Sequence, residues 1–81
     1  MDINKLLGEK LKAIRLSKNM SLQDVATKVG KSRYTIRNYE EGTNQIFYSV
    51  YLDLCRALDI DAMKLSDEIQ QEYNRSLSSR K

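Results

Sequence analysis

Arg33, Tyr34, Arg37 and Asn38 stand at the first, second, fifth and sixth positions of RYTIRNYEE (33–41). Helical spacing sets these four on one side, because residues three and four apart share a face. A guanidinium fork matches the O6 and N7 edge of guanine, and a carboxamide matches the N6 and N7 edge of adenine. A tyrosine ring can stack on a sugar or meet a thymine methyl group. Gathered on the solvent side of a short helix, such groups can read base edges in the major groove of a duplex.

That use requires a rigid support, and the preceding residues, MSLQDVATKVG (20–30), have the pattern of one. Ser21 is placed to cap a helix, with Asp24 three positions on in a capping-box arrangement. Val25, Ala26 and Val29 follow as an apolar face at helical spacing. Gly30 stops this helix, since a left-handed residue closes a helix end at least cost when it is glycine. Ser32 then restarts the chain as the N-cap of a second helix, whose Ile36 and Tyr39 turn inward. The small side chain of Ala26 permits close approach of the two helices. A helical hairpin with a merely solvated polar face shares the apolar spacing. The joint placement of Ala26, Gly30 and Ile36 at fixed offsets is what favours a reading head.

The whole chain has 81 residues, enough for one domain with a modest core. It contains no proline and few glycines, and Leu, Ile and Val recur at intervals of three and four. An all-α fold follows. Net charge is +3, a mild excess that suits nucleic acid without requiring it. Its distribution says more, because Lys28, Lys31, Arg33 and Arg37 crowd the turn and the second helix of the motif. The single cysteine, Cys55, sits in the apolar run LDLCRALDI (52–60), where a buried thiol is expected. Histidine is absent, which removes His-based acid–base catalysis and the usual His/Cys metal sites. No cofactor, no metal and no enzymatic activity are expected. MDINKLLGEK lacks the pattern of a secretory signal, and no apolar run reaches membrane-spanning length. A reducing cytoplasm, in association with the nucleoid, is the expected setting.

Five helices are predicted along the chain. The first runs from about Ile3 to Lys18, with Ile3, Leu7, Leu11 and Ile14 as its apolar stripe and Leu6 beside it. Asn19 ends it in the left-handed conformation. The second closes near Val29, and the third spans about Arg33 to Glu41 before Gly42. Thr43, Asn44 and Gln45 form a polar loop. A fourth helix, about Phe47 to Leu58, turns Tyr51, Leu54, Cys55 and Leu58 inward, although the β-branched and aromatic run at 46–52 also permits a strand. Asp61 caps a fifth helix from about Ala62 to Tyr73, with Leu65 and Ile69 inward. The domain is expected to occupy residues 1–75, with a flexible polar tail at 76–81.

In this order and spacing, LKAIR (11–15), the motif at 20–42 and LDLCRALDI (52–60) resemble the helix-turn-helix proteins of the Cro and lambda-repressor type, the xenobiotic-response-element group of phage and bacterial regulators. The likeness covers about residues 5 to 70. It implies a compact five-helix bundle and a sequence-specific DNA-binding regulator, most simply a repressor. Arg33, Tyr34, Arg37 and Asn38 are then the base-contacting residues. Gln23, Lys31, Ser32, Thr35, Asn44 and Arg15 are the candidate phosphate contacts. Arg15 and Glu40 match a partly buried ion pair that joins the first and third helices in relatives.

Departures from the pattern are informative. The family often places Gln at the first position of the second helix; here Leu22 stands there and Gln23 follows, about 100° around the helix. The loop at Thr43, Asn44 and Gln45 is neutral where relatives are often basic. Ile46 and Phe47 replace a Pro and a hydroxyl cap. Phe47 and Tyr48 therefore either fill the core or form an exposed patch that pairs two subunits. The expected partners are double-stranded DNA with a near-palindromic operator, a second copy in a homodimer, and RNA polymerase or a regulatory protein, met through an acidic edge at Glu40 and Glu41. A rival reading from another class is a protein-interaction module, an antitoxin or adaptor using the same fold.

Overall fold

The computed structural model describes residues 2–78. Among them lie five helices and no strand: α1 (Ile3–Ser17), α2 (Leu22–Val29), α3 (Arg33–Glu41), α4 (Tyr48–Ala57) and α5 (Ala62–Ser78). The segment 46–52 is thus loop and helix, with Phe47 as the N-cap of α4.

Local chemistry fixes the helix ends. Asp2 accepts from the Asn4 N–H at 2.9 Å, and Asp61 accepts from the Met63 N–H at 2.9 Å. Around Ser21 the reciprocal pair is complete: the Asp24 N–H donates to Ser21 Oγ at 3.0 Å, and the Ser21 N–H donates to Asp24 Oδ2 at 2.8 Å. Gly30 and Gly42 close α2 and α3 at φ +72° and +76°. Asn19 does the same after α1 at φ +56°, and Asp59 after α4 at φ +55°. In both of these the next amide returns to the helix, Met20 N–H to the Arg15 carbonyl at 3.1 Å and Ile60 N–H to the Cys55 carbonyl at 3.0 Å.

The core draws on all five helices: Leu6 and Leu11 from α1, Val25 and Ala26 from α2, Ile36 and Tyr39 from α3, Tyr51, Leu54 and Cys55 from α4, and Leu65 and Ile69 from α5. Leu58, just past α4, completes it. Burial raises the pKa of the Cys55 thiol and that of the Tyr51 phenol. Tyr51 ties α4 to α5, donating to the Ala62 carbonyl at 2.6 Å with Ser66 Oγ 3.0 Å away.

Two expectations need correction. The α1 stripe is rotated: Leu6, Gly8, Leu11 and Arg15 are buried, Leu7 and Ile14 are half-buried, and Ile3 is exposed. The cause is α3, the helix against which α1 packs most closely. Its backbone lies over Gly8, where an added Cβ would meet the Tyr39 carbonyl oxygen at 2.4 Å. A glycine adds nothing to an apolar count, so the true face was displaced from the apparent one. In addition, α5 continues to Ser78, five residues beyond Tyr73, so the expected tail begins inside a helix. Leu65, Ile69, Tyr73 and Ser76 keep the helical interval, and all are buried or half-buried. Residues 79–81 of that tail lie outside the described residues.

Candidate nucleic-acid interface

The turn between α2 and α3 is built on Ala26. Its side chain is fully buried, and its carbonyl accepts both the Gly30 N–H and, at 3.0 Å, the Lys31 N–H. Ser32 then caps α3, accepting from the Thr35 N–H at 3.1 Å. With Ile36, Tyr39 and Glu40 buried, α3 has one possible orientation about its axis.

That orientation turns Arg33, Tyr34 and Arg37 to solvent and leaves Asn38 half-buried. Tyr34 is 66% exposed. Among the described residues, the side chains of Arg33, Tyr34 and Asn38 have no hydrogen-bond or ionic partner. Arg37 has one, Glu41, at 3.5 Å from its Nε. Both members are well exposed, so this pair is worth under ~1 kcal/mol and yields readily to a competing acceptor. The far end of α3 is sealed by its own loop: the Thr43 N–H and Oγ1 both donate to the Asn38 carbonyl, at 3.0 and 3.1 Å.

The candidate phosphate contacts divide. Lys31 and Asn44 are exposed and without side-chain partners among the described residues. Ser32 Oγ and Thr35 Oγ1 lie 2.9 Å apart and engage each other. The Gln23 amide donates to Thr27 Oγ1 at 3.1 Å, one turn along α2. Arg15 is engaged inside the fold. Its guanidinium is buried, with Nε 2.7 Å from Glu40 Oε2, Nη2 3.1 Å from Glu40 Oε1 and Nη1 2.8 Å from the Met20 carbonyl. One side chain thus joins α1, the connection to α2, and α3. The expected acidic edge also shrinks, because Glu40 is consumed in this pair and only Glu41 faces solvent.

Leu22, at the position where the family often has Gln, borders this face. With Arg33, Tyr34 and Arg37 it lines an open depression of about 280 Å³ between α2 and α3. Its interval of three from Val25 marks it as apolar-face, but not as partly open.

Phe47 and Tyr48 point outward, 72% and 73% exposed. The Tyr48 ring stacks on that of Tyr51 with centroids 6.1 Å apart. A groove of about 320 Å³ lined by Ile3, Leu7, Ile46, Tyr48, Tyr51 and Ile69, among others, runs beside them.

The carboxyl of Asp24 is held below the usual carboxylate range, first by the Ser21 N–H and then by the Ser21 hydroxyl. A pKa lowered by folding contributes stability that is present at neutral pH and lost as pH falls through the folded value. Denaturation midpoints of the native chain should therefore fall on acidification, and Asp24→Asn should flatten that part of the pH profile. Among the described residues there is no group of three metal-ligating side chains, and no helix is long and apolar enough to cross a membrane.

Residues 6–65 match a family described as a helix-turn-helix domain. A putative HTH-type transcriptional regulatory protein of Methanococcoides burtonii is 36% identical over 70 residues, which is 86% of this chain and 21% of that protein. The chain thus spans about a fifth of the length of the curated relative it matches. Among solved structures, the restriction-modification controller protein C.AhdI from Aeromonas hydrophila is 30% identical with a TM-score of 0.72, over 79% of this chain and 96% of that one. The clp gene regulator ClgR from C. glutamicum has the same fold at 20% identity and a TM-score of 0.79, covering 86% of this chain and 91% of that one. So does a mutant of the restriction-modification controller protein C.Esp1396I bound to its highest affinity operator site, at 19% identity and a TM-score of 0.79, over 89% and 95% of the two chains.

Proposed function

The chain belongs to the helix-turn-helix domain family, and from that premise we propose that it is a sequence-specific DNA-binding transcriptional regulator which sets α3 into the major groove. One observation carries the reading. A helix fixed by a buried ion pair and a sealed loop presents Arg33, Tyr34 and Asn38 without internal partners, beside the weakly held Arg37. Arg33, Tyr34, Arg37 and Asn38 read bases, while Lys31 and Asn44 hold phosphates. The family match covers residues 6–65, and no catalytic role is assigned to it.

Selection of preferred duplexes from a random pool, followed by titration at several salt concentrations, tests this. Arg33→Ala and Asn38→Ala should each cost ~1–3 kcal/mol and relax preference at one base pair. Lys31→Ala should weaken all sequences alike and flatten the salt dependence. Unchanged affinity in both base-face variants would remove the reading face.

The exposed Phe47 and Tyr48 favour a protein contact as well. A second copy of this chain is the simplest occupant, pairing two reading helices across one turn of DNA, roughly 34–36 Å. Tyr48→Glu should shift the sedimentation profile to monomer and weaken operator binding; an unaltered profile would free that patch for an antitoxin- or adaptor-type partner instead.

A further inference from the structure

We propose that the depression floored by Leu22 seats the 5-methyl group of a thymine standing beside a guanine, which makes Leu22 and Tyr34 specificity-determining residues. This rests on the DNA-binding reading above and names the base step it selects.

The lining carries the inference. Leu22 is half-buried, with one side in the core and the other open toward Arg33, Tyr34 and Arg37. The hollow has a branched alkyl floor, an exposed aromatic wall and two guanidinium groups at its rim. A methyl group needs the first two and gains nothing from the third. Guanine O6 and N7 need the third. In the major groove, thymine alone of the four bases puts an apolar group at its edge, and guanine is the base whose two acceptors match a guanidinium fork. A surface that offers both at one place fits two neighbouring base pairs, one supplying the methyl and the other the acceptors. Arg33 is free for the guanine, while Arg37 leaves only its Nε near Glu41. Thymine is the occupant because every T·A pair carries the methyl group, whereas 5-methylcytosine carries it only in modified DNA.

The test uses the intact chain and the duplexes recovered by selection from a random pool. Each duplex is resynthesised with deoxyuridine in place of thymidine, position by position, and separately with 5-methylcytosine in place of cytosine. Affinity is read by fluorescence anisotropy. Loss of the methyl at a thymine beside guanine should weaken binding roughly fourfold, the worth of one buried methyl group. Leu22→Ala should bind thymine and uracil duplexes equally at that position while retaining the salt slope of the parent. If Leu22→Ala fails to fold by circular dichroism, Tyr34→Ala, at an exposed site, must show the same loss of discrimination. Equal affinity for thymine and uracil at every position overturns the proposal but leaves DNA binding intact. Discrimination that persists in both variants also overturns it, as does a methyl effect confined to modified cytosine. Absence of salt-sensitive binding to any duplex overturns the DNA-binding reading itself, and this proposal with it.

Discussion

Glu40→Ala should cost ~3–5 kcal/mol of folding stability, a large share of what a domain of this size possesses. The substitution strands the Arg15 guanidinium in the core with the Met20 carbonyl as its sole remaining acceptor among the described residues. An uncompensated buried charge is what makes the single change severe. The double variant Arg15→Met with Glu40→Leu should recover most of the loss, because an apolar pair of similar volume leaves nothing unpaired. Urea denaturation of the three variants separates the possibilities. A loss under ~1 kcal/mol for Glu40→Ala would mean that the pair behaves as a solvated one. Operator binding should fall with stability in the single variant, since the same guanidinium positions α3 and the entrance to α2.

Gly8→Ala should also destabilise, by ~1–3 kcal/mol or more. In an open helix this change gains about 1 kcal/mol of propensity. Here the new carbon would lie 2.4 Å from the Tyr39 carbonyl oxygen and 2.5 Å from that of Glu40. Both are main-chain atoms of α3 and cannot swing aside, so α1 and α3 must part. Gly30 supplies the control. It has φ +72° and nothing within 4 Å of an added Cβ, so Gly30→Ala costs only the left-handed conformation, roughly 1–2 kcal/mol. Thermal melting should rank the parent first. A Gly8→Ala protein as stable as the parent would refute the close approach of α1 and α3.

The contrast between these glycines shows what the chain reveals unaided. Gly30, Gly42, Ser21, Ser32, Asn19 and Asp61 act on backbone groups within a few residues, and their roles could be read from local chemistry. The α2–α3 unit was legible for that reason, and with it the outward placement of Arg33, Tyr34 and Arg37. Gly8 acts on a helix some thirty residues away, and its meaning lies in a carbonyl that no local pattern names. Similarly, Arg15 and Glu40 could be paired only through the family likeness. The Met20 carbonyl, which completes the set around the guanidinium, could not be anticipated. Asp59 takes the left-handed conformation at a position where no glycine advertises it. Polar residues past Tyr73 suggest an ending, yet none of them breaks a helix, and α5 continues to Ser78. Phe47 could be inside or outside on type alone, and in the fold it is the exposed N-cap of α4.

On α3, the side chains that anchor the helix (Ile36, Tyr39, Glu40) and those that face outward (Arg33, Tyr34, Arg37) are disjoint sets. Nothing in the interior depends on what the outward positions carry. Their identities can be exchanged as a block, so a library varied there would sample new target preferences on an unaltered chassis.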